Sequence, residues 1–373
     1  MKIVQFLPYF PPHKGWVETV AEEFSKYFVS EKCWEVLNLT CSVGQSSLQS
    51  YEKDGYKVFI LPAFDIIPNY PVPKFWTKQF RSVLHQVKDW NPDIIQTHTR
   101  FFLSTFLGGI CVKRWKKKWV HVEHGSWLVK WLAWWKSFVA NLYDYTLGRL
   151  CFNGADQIVA ISKWNIPFIR KFSKTPVEVI YRGLDFPKIF RKGKQRDQVL
   201  IGFVWRLVKL KGVDLLISAF AELIHDYPHL RLQIVGDWVE KKNLEDQVKT
   251  LNLQEKITFL WFQEKEKIQG EILPSFDIFV NPSLQEGLPT TVIEALFAKC
   301  MVVATDVWGT KEIADGKDFI VVDPKNIYSL KHGLIQAFDL LDEVNGDSYQ
   351  QVRERFDRKK GVKQYLKLYS TII

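Results

Sequence analysis

Short apolar runs separated by stretches of helical periodicity recur along almost the whole of this sequence, and that alternation limits the fold more than any other feature. It argues for parallel strands joined by crossover helices, in doubly wound α/β layers. Strands are expected at 2–7, 35–40, 57–61, 93–97, 119–123, 157–161 and 177–181, then at 198–204, 231–236, 257–260, 277–281, 301–304 and 319–322. The two sets flank a Lys- and Arg-rich stretch of little apolar character, read as a linker at 186–196. With 373 residues the chain is too long for one ordinary core. The expectation is therefore a domain at 1–185, a second at 197–350, and a helical tail at 351–373. Ligands of open α/β sheets bind beyond the carboxyl ends of the strands, which puts the expected site in a cleft between domains.

Composition excludes several classes. The apolar fraction of 47% fits compact folding. No apolar run reaches the roughly 18–20 residues that span a bilayer. The N-terminus reads as a strand broken by proline rather than a signal peptide. Cys33, Cys41, Cys111, Cys151 and Cys300 are scattered without metal-ligand spacing, as expected of reduced thiols in a cytoplasmic protein. The net charge of +10 calls for an anionic partner. No nucleic-acid motif is present, so anionic lipid headgroups are the better candidate.

The densest chemical pattern is Pro282-Ser283-Leu284-Gln285-Glu286-Gly287-Leu288-Pro289-Thr290-Thr291-Val292-Ile293-Glu294-Ala295, between an apolar strand and an apolar helix. A loop carboxylate, Glu286, suits sugar hydroxyls. Glu294, a turn into the helix, offers the bidentate acceptor that paired ribose hydroxyls need. Free N–H groups at the helix start suit phosphate, and Pro289 costs nothing there. The bland alternative is a pair of solvated glutamates at a helix start. Arg206 and Lys211 stand in a turn closed by Gly212, where two cations can neutralise a diphosphate leaving group; a solvated basic turn is the alternative.

Residues 277–313 resemble the donor-binding segment of glycosyltransferase family 4, retaining enzymes of the GT-B fold with two Rossmann-like domains. Phe6–Glu18, Ile180–Asp185, Arg206–Asp214 and Ile234–Asp237 fit the same pattern, so the resemblance spans nearly the whole chain. It implies transfer of a sugar from a nucleotide-diphosphate sugar to a glycan or lipid-linked glycan, with no metal or other cofactor. Retention without an enzymic nucleophile implies front-face attack assisted by the departing phosphate. Glu286, His124, Arg206 and Lys211 are the implied catalytic residues. Gly15, Arg206, Lys211, Leu288, Thr290, Thr291 and Glu294 are implied to bind the donor. His124 matches the histidine that touches the donor sugar, or is a structural histidine at a strand end. His98 belongs either to the acceptor side or to a plain loop. The tail is implied to cross back onto the first domain.

Two stretches bear on the acceptor. Lys113–Trp119 concentrates five cations, and Trp127, Trp131, Trp134, Trp135 and Phe138 follow at helical spacing. Together they suit peripheral contact with the inner face of a membrane, or else form a solvated loop and a core-facing stripe.

Tryptophan departs from the family pattern. Trp16, Trp205 and Trp238 stand where that pattern has glycine, and Trp34, Trp261 and Trp308 read the same way. Glycine totals 20, whereas a share of about 7% would give about 26. Codons that one genetic code reads as tryptophan and another as glycine produce this swap; Trp76 and Trp119 suit genuine tryptophans. The alternatives are a non-catalytic binding protein with a plugged cleft, or a GT-B-like sugar epimerase.

Overall fold

The computed structural model describes residues 1–11, 13, 16–32, 34–43, 50–67, 70–125, 134–185, 198–343 and 346–373. The chain forms two compact units: unit 1, residues Met1–Gly183 with Lys359–Ile373, and unit 2, Leu184–Arg358. The expected linker at 186–196 lies outside the described residues.

Unit 1 is built on nine strands among the described residues. They are β1 (Lys2–Phe6), β2 (Glu35–Val43), β3 (Ser50–Lys53), β4 (Tyr56–Ile67), β5 (Tyr70–Pro73), β6 (Ile94–His98), β7 (Lys118–Glu123), β8 (Gln157–Ala160) and β9 (Val177–Val179). The order is β3-β4-β2-β1-β6-β7-β8-β9, with β5 also on β4. All pairings are parallel except those of β3 and β5 with β4. Those two antiparallel strands were not anticipated. β3 is mostly exposed and polar, and β5 carries Pro71 and Pro73, so neither shows the apolar run that marks a buried parallel strand.

Unit 2 carries β10 (Val199–Val204), β11 (Leu230–Val235), β12 (Ile257–Leu260), β13 (Ile278–Asn281), β14 (Met301–Thr305) and β15 (Phe319–Val322), ordered β12-β11-β10-β13-β14-β15. Every pair is parallel. The order reverses between β10 and β13, so the loops leaving those two strands flank the switch point, where ligands of such sheets bind. The core of each unit is aliphatic and aromatic. Ile201, Phe203, Leu216, Phe220, Ile234 and Val280 are buried in unit 2, and Val4, Phe6, Leu39, Ile95 and Ile158 in unit 1.

The tail is two helices rather than one: Asp347–Arg355 and Arg358–Ile372. Phe356 leaves helical geometry with φ −111°, and its carbonyl accepts from Leu184 N at 2.8 Å, tying the break to unit 2. Only the second helix belongs to unit 1. There Tyr365 and Tyr369 are buried, with ring centroids 4.7 Å from Phe24 and 5.8 Å from Phe28 respectively.

Cys41, Cys111, Cys151 and Cys300 are buried. Among the described residues no helix is long and apolar enough to cross a membrane, and no cluster of three His, Cys, Asp or Glu side chains could hold a metal.

Candidate functional site

In unit 2 the chain leaves β10 through Trp205 and Arg206, makes a 3-10 turn at Lys209–Lys211, and enters the helix Val213–Leu223 through Gly212. Gly212 has φ +65°, and a Cβ there would collide with the Pro282 carbonyl oxygen, so the turn needs glycine on both counts. That close approach locks the turn to the loop after β13, as does the Leu284 N–H, which donates to Leu210 O at 2.8 Å. Lys211 is thereby buried within reach of Glu286: Nζ to Oε1 is 2.5 Å. Ser283 Oγ lies 2.7 Å from the same carboxylate oxygen and 2.7 Å from Asn281 Oδ1, and orients the glutamate.

The helix Thr290–Phe297 begins at Pro289 with no side chain capping its first N–H groups. Those are the donors that the sequence reading assigned to phosphate. Leu288, Thr290 and Thr291 are buried at this helix start. Glu294, one turn in, accepts from Gln269 Nε2 at 2.8 Å. Arg206 is exposed and, among the described residues, has no carboxylate partner. Its Cζ lies 5.8 Å from the Trp238 ring centroid, and Lys211 Nζ lies 5.3 Å from that of Trp205. Lys211 and Glu286 thus meet directly. Arg206 shares their turn, and Glu294 sits on the adjoining helix.

In unit 1 the central strands carry a ladder of amides. Gln5 on β1 is in register with Asn38 on β2 and Gln96 on β6. Gln5 Nε2 donates to Ala21 O at 3.2 Å and Asn38 Oδ1 at 2.9 Å, so Gln5 Oε1 faces Gln96 Nε2 and His98 Nε2, each 2.9 Å away. Tyr369 closes the ladder by donating to Gln96 Oε1. His98 Nδ1 then meets His124 Nε2 at 3.1 Å. Burial holds the pKa of both histidines down, His124 to about 4 and His98 well below its usual value. Both are therefore neutral at physiological pH. His124 is partly exposed, but its Nδ1 is buried without a hydrogen-bond partner. His98 is no plain loop residue: it is wholly buried and holds His124.

Beside this ladder, Arg100 makes a two-pronged bond to Asp144 (2.9 and 2.9 Å) and a third to Glu123 (2.9 Å), all three side chains buried. Glu123 also accepts from Gly125 N at 2.7 Å, which fixes the backbone on the far side of His124. Burial alone would raise the Glu123 pKa, but Arg100 and the bonds from His121 and Gly125 carry it down to about 2. Burial raises that of Asp144 despite Arg100. Trp119 Nε1 can only donate, so Thr97 Oγ1 accepts it (2.9 Å) and turns its own proton to His121 Nδ1 (2.8 Å). The remaining His121 proton faces Glu123 at 3.2 Å.

Gly15 lies outside the described residues, as do Trp127 and Trp131. Trp119 is buried and packed into the core, so it is removed from the membrane-contact stretch at Lys113–Trp119. Gln269, Ser283 and Asn281 were missed, as were Arg100, Glu123, Asp144, Gln5 and Gln96. In sequence they are ordinary polar residues at the ends or middles of apolar runs. A charged or amide residue inside a run that must be buried was the one available signal.

Residues 185–354 match the family described as glycosyl transferases group 1, and residues 17–187 match glycosyltransferase family 4. An uncharacterized glycosyltransferase of Methanocaldococcus jannaschii is 31% identical over 100% of this chain and 99% of its own length. An N-acetylgalactosamine-N,N'-diacetylbacillosaminyl-diphospho-undecaprenol 4-alpha-N-acetylgalactosaminyltransferase of Campylobacter jejuni is 30% identical over 61% of this chain and 63% of its own. The fold is that of sucrose-phosphate synthase from Thermosynechococcus elongatus, with TM-score 0.81 at 17% identity over 99% of this chain and 98% of that one. The chain belongs to this glycosyltransferase family, has the GT-B architecture, and is an enzyme that transfers a sugar.

Proposed function

We propose that unit 2 binds a nucleoside-diphosphate sugar at its switch point and that the sugar passes, with retention, to a growing glycan or lipid-linked glycan. The observation that carries this reading is the Lys211–Glu286 pair set beside the uncapped start of Thr290–Phe297, with Arg206 in the same turn. When the bond from the sugar to phosphate breaks, charge builds on the diphosphate. Lys211, Arg206 and the helix N–H groups are fixed in advance to receive it, which is the condition for large electrostatic catalysis. Glu286 holds Lys211 in place and offers its carboxylate to sugar hydroxyls, while Glu294, steadied by Gln269, takes the ribose. The acceptor hydroxyl attacks the face the phosphate is leaving and surrenders its proton to that phosphate. Titration calorimetry with UDP- and GDP-sugars tests the assignment: Lys211→Ala and Glu294→Gln should each weaken binding at least tenfold. Normal binding by both variants would remove these residues from the donor site.

We further propose a cytoplasmic enzyme that touches the membrane surface to meet a lipid-linked acceptor. In support, Lys113, Arg114, Lys116 and Lys118 are exposed. Trp134 and Phe138, one turn apart, are 82% and 64% exposed, and Leu142 continues the stripe. Tryptophan and phenylalanine beside lysines suit the headgroup boundary. Replacing the five cations of 113–118 by Ser should abolish pelleting with phosphatidylglycerol vesicles; a wild-type protein that does not pellet would sink this reading.

A further inference from the structure

Among the described residues, two groups of tryptophans sit in contrasting kinds of place. Trp119 shows the first. It is buried, its Nε1 donates to Thr97, and a Cβ on Gly109 or Gly154 would meet its ring at 2.5 or 2.7 Å. The surrounding helices leave out side chains where that indole lies. Trp34 and Trp261 also have places, with ring centroids 5.6 Å from Phe28 and 5.0 Å from Phe259 respectively.

Trp205, Trp238 and Trp308 are of the second kind. Each sits just past the carboxyl end of a strand of the same sheet, after β10, β11 and β14. Trp238 has φ +151° and Trp308 φ +42°, in the region where a bulky L-residue is an outlier and glycine is at home. Among the described residues the other positive-φ non-glycine positions are Asp54, Asn91, Thr99, Lys116, Asn252, Lys299 and Lys325, none of them aromatic. Trp205 is not at positive φ and has a different fault: its indole N–H is buried with no acceptor. The Trp238 and Trp205 rings also lie near the two cations, at 5.8 Å from Arg206 and 5.3 Å from Lys211 respectively.

We infer that the working protein carries glycine at 205, 238 and 308. These positions are then encoded by UGA, a codon that some genetic codes read as tryptophan and others as glycine, and the organism of origin reads it as glycine. With glycine there, the strand-end loops of unit 2 present bare backbone to the diphosphate and leave both cations uncovered. The functional consequence rests on the donor-site reading above; the residue assignment does not.

The test has two independent parts. Codons 205, 238 and 308 are read in the gene, and the matching peptides of protein from the native organism are weighed. UGA together with glycine-mass peptides is expected. Any other codon, or tryptophan-mass peptides, overturns the inference. In recombinant protein, Trp238→Gly and Trp308→Gly should each melt about 2–4 °C above the alanine variants at the same sites, because alanine removes the ring yet keeps the Cβ that positive φ disfavours. Alanine variants that melt as high as the glycine ones overturn it. The triple glycine variant should also bind UDP at least tenfold tighter than the tryptophan form. Glycine-mass peptides with no gain in UDP affinity would confirm the residues and remove the donor site from these loops, so the two readings fail separately.

Discussion

Arg100 in unit 1 and Lys211 in unit 2 are both cations set beyond the carboxyl end of a parallel strand, and both face a glutamate. Arg100 is committed: two buried carboxylates take its fork. Lys211 has one carboxylate, Glu286, and stands beside an exposed arginine and an uncapped helix start. The first arrangement spends its charge on holding backbone still. The second keeps charge in reserve for a ligand. Unit 1 therefore reads as a rigid positioning frame beneath His124, whose Nδ1 is buried without a partner, and unit 2 as a phosphate receiver.

Breaking the frame should cost most. Arg100→Met leaves Glu123 and Asp144 buried and facing each other, and loss of one partner of a buried pair costs about 3–5 kcal/mol. Hydrogen exchange on the whole chain should show amides of β6 and β7 opening faster while β10 and β13 keep their protection. Equal acceleration in both sheets would mean that the cluster is not a local frame.

The matched pair of carboxylates sharpens the contrast. Glu123→Gln should destabilise unit 1 by several kcal/mol because Arg100 and Gly125 lose an ionised acceptor. Glu286→Gln leaves the buried Lys211 with only a neutral acceptor and so costs stability as well, but it should also lower turnover at least tenfold. A Glu286→Gln protein with full turnover would reverse the roles assigned to the two sites.

The smallest effect is in pH. His124 and His98 have folded pKa values held below the unfolded value of about 6.5. Their neutral burial is without cost above that value, and its stabilising contribution is lost as pH falls from about 6.5 toward 4. Glu123, depressed to about 2, adds a second loss only below about pH 4.5. Protection factors in β6 and β7, taken relative to the intrinsic exchange rate at each pH, should thus fall first between pH 6.5 and 4, and His124→Asn should shrink that step. An unchanged step would place the titration elsewhere.

How much of this was legible in the sequence depends on distance along the chain. Period and apolar runs identified the buried parallel strands because a strand covered on both faces has to be apolar throughout. They missed β3 and β5, which sit on the sheet without that burial. The switch-point turn at Arg206–Gly212 and the helix start at Pro289 were readable too, since each is set by neighbours a few residues apart. Glycine-demanding backbone was visible as tryptophan out of place at 238 and 308, although sequence alone also drew in Trp34 and Trp261, which the fold accommodates by stacking. What the sequence could not supply was partnership. Lys211 with Glu286, Gln269 with Glu294, Arg100 with Asp144 and Tyr369 with Gln96 are separated by 75, 25, 44 and 273 residues. Local pattern decides which element forms, because burial follows the 2.0 or 3.6 period of the chain itself. Which charge meets which is decided by strand order and register, and those arise only when the whole sheet is assembled.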